Sequence, residues 1–256
     1  MTPRQTVLSQ IRHEETAEVP YTLAFEDEVA CRLDQHFGGD AWRSRIIPYI
    51  NQCGSVGSAP RQDLDDTHYR DAFGTVWRTD ELPSVVVESG LTTPSFKGYD
   101  FPSVDRFLDA RARDETIRRV GESADSFTIV STGLCLWQSW YVRGFETTLM
   151  DVASEEGFYA ELLDRLTDLT LDLVEACAEV PADAIMMGDD WGDQRGVMIG
   201  PERWRRLFKP RYTRIFEAIH KQGKLAIMHC CGSTAEIQSD IIDTGLDVLE
   251  SVQPEA

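Results

Sequence analysis

A chain of 256 residues with 42% hydrophobic and 27% charged residues has the balance of a globular protein able to bury a sizeable core. Its formal net charge is −19, and no basic stripe stands against that charge. Nucleic acid and anionic membrane surfaces are thereby excluded as expected partners, because phosphate recognition needs clustered Lys and Arg.

The opening "MTPRQTVLSQIRHEE" has no apolar run of signal-peptide length, and no later segment approaches membrane-spanning length, so a cytoplasmic location is expected. No repeat or linker divides the chain, which reads as a single domain over 1–256. "VPYTLAF" (Val19 to Phe25) reads as a first strand, with Glu26 just past its end. "DAFGTVWRTDELPSVVVES" (Asp71 to Ser89) reads as a hairpin-like excursion around a Pro-containing bend. A polar amphipathic helix is predicted from Ser103 to Val120.

From Phe127 a regular alternation sets in. "FTIVSTG" (Phe127 to Gly133) is a buried strand, followed by Trp137, Trp140, Tyr141 and Arg143, which either line a pocket or pack in the core. Ser154 is placed to cap a long helix whose core face is Tyr159, Leu162, Leu163, Leu166, Leu169, Leu173 and Cys177. "AIMMGDD" (Ala184 to Asp190) is the next strand. Pro201 opens a helix with Trp204, Phe208, Ile215 and Ile219 on its core face, a kink expected at Pro210 and a stop at Gly223. "LAIMH" (Leu225 to His229) is a short strand, Ser233 to Glu236 is a capping box for the next helix, and "DVLESV" (Asp247 to Val252) is strand again. Strands alternating with helices at this spacing imply right-handed βαβ units and a parallel sheet. A closed barrel and an open doubly wound sheet both fit the spacing. No Gly-rich phosphate fingerprint follows any strand, which weighs against the dinucleotide-binding open type.

The stretch "IMHCCGST" puts a histidine and two cysteines where that short strand ends, the end at which β/α barrels do their chemistry. Side chains at i and i+2 of an extended segment point the same way, so His229 and Cys231 can reach one ion while Cys230 faces elsewhere. An imidazole and a thiolate suit Zn²⁺ rather than Mg²⁺ or Ca²⁺; the bland alternative is a satisfied histidine beside packed thiols. Asp189, Asp190 and Gln194 reach the same face from the preceding strand, as acids and an amide for catalysis, support of the imidazole, or substrate binding. Turn and capping chemistry is the competing reading for them. Glu26 and Trp140 are further substrate-binding candidates. Cys31, Cys53 and Cys177 are expected to be small buried thiols.

"GDDWGDQRGVMIGPERWRRLFKPRY", "HCCG" and "IIDTGLDVLESVQPEA" together resemble the uroporphyrinogen decarboxylase superfamily, in its cobalamin-dependent methyltransferase branch. The resemblance is specific from about Ala184 onward and diffuse before Phe127. It implies a single (β/α)8 TIM-type barrel. Five strands are countable where a closed barrel needs eight, so a C-terminally truncated barrel is expected. It also implies a zinc held by His229, Cys231 and a third cysteine expected beyond residue 256. Its reaction would pass a methyl group from a methylated corrinoid (methylcobamide), usually on a separate corrinoid-binding protein, to a small thiol. The decarboxylases of the superfamily need no metal and use an Arg-rich N-terminal segment, an aspartate and a tyrosine. Here "QIRHEETAEVP" lacks the paired arginines, and "QSWYVRG" puts Trp140 where the tyrosine belongs. Decarboxylation is the alternative activity, and a barrel whose zinc is structural, or which has lost activity, is the non-enzymatic one.

Overall fold

The computed structural model describes residues 1–253 apart from Ala24, Ile47, Glu81 and Leu82. Helix α1 (Pro3–Ile11) begins with a reciprocal capping box between Thr2 and Gln5, and α2 (Asp27–Phe37) ends on Gly38 in the left-handed region. Strand β1 (Ile50–Ser55) leads into an antiparallel excursion of β2 (Arg61–Asp63), β3 (His68–Asp71), β4 (Val76–Arg78) and β5 (Val85–Glu88). Helix α3 (Ala110–Glu122), capped by the Asp109 carboxylate, returns the chain to β6 (Phe127–Ser131). Helices α4 (Gln138–Arg143), α5 (Phe145–Ser154) and α6 (Glu156–Ala176) lead to β7 (Ala184–Gly188). A two-residue hairpin, β8 (Gly192–Asp193) with β9 (Gly196–Val197), precedes α7 (Pro201–Leu207) and α8 (Lys209–Lys221). Strand β10 (Leu225–His229), helix α9 (Gln238–Asp243) and strand β11 (Val248–Glu250) follow.

The main sheet runs β1-β6-β7-β10-β11 with every neighbouring pair parallel. Five parallel strands joined through helices make a partial TIM-type barrel. Alternation along each strand sorts the side chains onto two faces. Ile185, Met187, Ala226 and Met228 belong to the large core that α6 and α8 close with Leu162, Leu166, Tyr212 and Phe216. Each of the Leu, Ile, Met and Phe side chains so taken from water stabilises by about 1.5–3 kcal/mol. Phe127, Ile129, Ala184 and Ile227 form a second cluster on the opposite face, against Val7 of α1 and Tyr49.

The alternating half of the chain agrees with the sequence expectations closely: β10 has the expected bounds, and the expected apolar face of α6 is buried throughout. The expected excursion from Asp71 to Ser89 holds the antiparallel pair β4 and β5, but the sheet starts earlier, with β2 and most of β3 ahead of that span.

Elsewhere the structure corrects the reading. Val19–Phe25 forms no ladder among the described residues. Pro20 has no N–H to give, and the apolar side chains pack locally, Tyr21 on Tyr49 and Phe25 edge-on to Trp42. The edge position belongs to β1, paired with β6 from Ile50↔Phe127 to Ser55↔Ser131. Ser154 does not cap α6; its hydroxyl turns back to the Met150 carbonyl (2.8 Å) and closes α5. The polar helix begins at Ala110, after a separate 3₁₀ turn at Val104–Arg106. Pro210 marks a break between α7 and α8, sitting in the first turn of α8. The Ser233 capping box is not formed, and Thr234 precedes a 3₁₀ turn, Ala235–Ile237. Cys53 and Cys177 are buried as expected, whereas Cys31 is exposed.

Candidate metal centre and aromatic pocket

The strand ends of β7 and β10 meet in register, His229 opposite Gly188 on one side and opposite Glu250 of β11 on the other. Beyond Gly188 the chain turns Asp189 inward and Asp190 outward. Beyond His229 it buries Cys230 and exposes Cys231. His229 Nε2 lies 3.3 Å from Cys231 Sγ and 3.8 Å from Asp190 Oδ1. Ligand atoms of Asp190, His229 and Cys231 all fall within 4.8 Å of one another. Tetrahedral zinc, with bonds of about 2.0–2.3 Å, sets its ligand atoms about 3.5 Å apart, close to the 3.3 and 3.8 Å found here, and an ion held by these donors would have room for a further ligand.

The imidazole is oriented from behind. His229 Nδ1 faces Glu250 Oε2, and a neutral imidazole that donates Nδ1–H to that carboxylate would present its Nε2 lone pair to Cys231 and Asp190. Asp190 Oδ1 in turn accepts the Cys231 backbone N–H at 2.7 Å. Slight burial and the nearby Asp190 carboxylate raise the Cys231 thiol above its ordinary range. A cation among the three groups would reverse that balance and favour the thiolate. Cys230 points away as the strand alternation requires: its sulfur accepts the Trp191 N–H (3.4 Å), and burial pushes its thiol up to about 12.

Two glycines make the loop geometry possible. A Cβ on Gly192 would stand 2.5 Å from the Ser233 carbonyl oxygen, and one on Gly232 would stand 2.3 Å from that of Gly192. Gly232 also sits at φ 74°, where other residues are strained. The β8 hairpin and the loop after β10 thus pack backbone on backbone.

Asp189 is wholly internal. Its Oδ1 accepts the Trp137 N–H at 2.5 Å and its Oδ2 accepts the Tyr212 hydroxyl. Burial pushes its carboxyl up to about 6, against those hydrogen bonds, which pull it down. It ties the start of α4 to the end of β7 and to α8. Arg143 is also structural: it pairs with buried Asp151 (2.6 Å) and donates to the Leu91 carbonyl (2.8 Å), which joins α4 to the chain leaving the antiparallel excursion.

Next to the donor set lies a pocket of about 590 Å³, walled by Trp137, Trp140, Tyr141 and Phe145 on one side and Val86 and Val87 of β5 on another, with Asp190 and Cys231 at its edge. Of the sequence candidates, His229, Cys231 and Asp190 come together, Trp140 lines the pocket, and Asp189 supports its wall. Gln194 is exposed on the β8–β9 turn and does not line the pocket. Glu26 is exposed at the start of α2, away from any strand end. Glu250 and Tyr212 were not singled out from sequence. Glu250 carried a signal, an acid on the strand following the histidine's own; Tyr212 carried none.

Residues 136–252 match the family model of uroporphyrinogen decarboxylase (URO-D). Over this segment the chain is similar to the uroporphyrinogen decarboxylases. It is 28% identical to the uroporphyrinogen decarboxylase of Thermus thermophilus over 137 residues, 54% of this chain and 38% of that one. To the enzyme of Streptomyces avermitilis it is 26% identical over 130 residues, 51% of this chain and 34% of the relative. These alignments span little more than a third of the curated relatives' length. In fold the chain is similar to a methyltransferase from Methanosarcina mazei, with a TM-score of 0.65 at 15% identity over 97% of this chain and 75% of that one. Every residue of the donor set lies inside the segment that matches the URO-D model. Among the described residues no helix is long and apolar enough to cross a membrane.

Proposed function

We propose that this chain carries the acceptor site of a zinc-dependent methyltransferase, which moves a methyl group from a methylated corrinoid to a thiol. The observation that carries the reading is the convergence of nitrogen, sulfur and oxygen donors from His229, Cys231 and Asp190 at the mouth of an apolar pocket. Bound there, Zn²⁺ would lower the pKa of an arriving thiol and supply a nucleophile at neutral pH. The chain's own residues do the rest. Glu250 holds the imidazole tautomer, the Cys231 N–H orients the Asp190 carboxylate, and the aromatic wall flanks the reacting sulfur. Asp189 keeps that wall in place through Trp137. The corrinoid would arrive on a separate corrinoid-binding protein at the open side of the pocket. Likeness in fold to a protein named a methyltransferase supports this reading.

The alternative, uroporphyrinogen decarboxylation, must hold a substrate with several carboxylates. No Lys or Arg lines the aromatic pocket among the described residues, which argues against it. The test follows the cobalamin spectrum as zinc-loaded protein is mixed with methylcobalamin and a thiol, alongside a porphyrinogen assay. Demethylation that disappears in His229→Ala is expected. Porphyrinogen turnover that survives His229→Ala would overturn the proposal.

A further inference from the structure

The walls of the aromatic pocket are mostly rings and aliphatic groups. Trp137 and Trp140 stack with ring centroids 4.5 Å apart, and Phe145 leans on Trp140 at 4.9 Å. Tyr141 is fixed edge-on by Trp77 at 4.7 Å. Opposite them, Val86 and Val87 present aliphatic groups. A planar ring entering here meets other rings in the offset and edge contacts that aromatic pairs prefer. The volume of about 590 Å³ lies within the usual range for small organic ligands.

Charge decides what the ring can bear. Asp190 is the one charged side chain lining the pocket among the described residues, so an anionic substituent would be desolvated without a partner and repelled. The ring faces would attract a cationic substituent, but Asp190, which faces His229 and accepts the Cys231 N–H, is turned to the donor set, and a Zn²⁺ bound there would repel a cation. We propose that the acceptor is an uncharged aromatic compound of one or two rings, its benzylic thiol placed at Cys231 and Asp190 and its ring held by Trp140, Tyr141 and Phe145. The thiol end rests on the methyltransferase reading; the ring's binding rests on the walls alone.

The two parts separate experimentally. Tryptophan fluorescence and calorimetry on the full chain would compare benzyl mercaptan, benzyl alcohol, 2-mercaptoethanesulfonate and (2-mercaptoethyl)trimethylammonium. Benzyl mercaptan is expected to bind zinc-loaded protein at least tenfold more tightly than either charged thiol. Benzyl alcohol should bind equally to the parent and to metal-free His229→Ala. Phe145→Ala, at a half-exposed wall residue, should weaken both aromatic ligands about five- to tenfold, the worth of one aromatic pair. Val87→Arg, also at a half-exposed position, should shift preference toward the sulfonate. Tighter binding of the sulfonate or of the ammonium thiol by the parent protein would overturn the inference. So would failure of benzyl alcohol to quench tryptophan fluorescence. Failure of methyl transfer with benzyl alcohol binding intact would remove the methyltransferase reading and leave the ring site standing.

Discussion

Removing the carboxylate behind the imidazole is a sharp test of the donor set. In Glu250→Ala the His229 Nδ1–H loses its acceptor, so the tautomer that aims Nε2 at Cys231 and Asp190 is no longer favoured. Loss of such a partner typically costs 10–100-fold in metal affinity, or about 1.4–2.7 kcal/mol. The side chains of His229 and Glu250 are 35% and 49% exposed, so water can take over part of the carboxylate's role. The lower end applies: about tenfold weaker zinc. Glu250→Gln keeps an acceptor oxygen without the charge, and about a threefold loss is expected. Competition against a chromophoric chelator measures both variants. Thermal unfolding of the metal-free proteins should change little, since Glu250 is exposed on the last described strand. A Glu250→Ala protein that holds zinc as tightly as its parent would refute the assignment of Nε2 as the ligand atom. Nitrogen-15 spectra placing the metal on Nδ1 would do the same.

Three further outcomes are expected. Cys231→Ser should lose zinc about a hundredfold or more, one ligand's share of a structural site's total, while Cys230→Ser retains it by direct metal analysis; zinc lost from Cys230→Ser alone would mean that the strand alternation at His229 is misassigned. At neutral pH a thiol reagent should label Cys31 and Cys231 in the native metal-free protein and leave Cys177 and Cys230, both pushed up to about 12 by burial, unlabelled; mass spectrometry should then find Cys231 alone newly protected by added zinc. Arg143→Met strands the buried Asp151 carboxylate and should lower stability to urea by about 3 kcal/mol, whereas a loss under 1 kcal/mol would show that water reaches that pair.

The parts of the fold legible in the sequence were those in which burial imposes a period. Helix α6 announces itself because one stripe faces the sheet along its whole length, and β10 because four apolar residues lead into a histidine. Strand β1 was hidden for the opposite reason: "INQCGS" has little apolar alternation, and it is a strand because β6 offers it a ladder. Val19–Phe25 had the alternation without the ladder. At the site, i and i+2 spacing sufficed to join His229 to Cys231, and the position of Asp190 at the end of the neighbouring strand made it a candidate. What brought Asp190 onto the same ion was the register between β7 and β10. The division of labour between Asp189 and Asp190 could not be read, because it depends on Tyr212, a residue of α8 brought there only by packing. Gln194 shared the loop's sequence neighbourhood, but the tight β8–β9 turn carries it out to solvent.

The antiparallel excursion sits between two adjacent strands of the main sheet, β1 and β6, and contributes none of the metal-donor candidates. It does contribute Val86 and Val87 to the pocket, and Arg143 fastens the chain leaving it to α4. The candidate donors and one wall of the pocket are therefore carried by separate stretches of polypeptide. Exchange of residues on β5 can retune which molecule enters while the candidate donor set, at the ends of β7 and β10, stays as it is. A scaffold divided in this way can acquire new substrates by changing one hairpin, without re-establishing the chemistry each time.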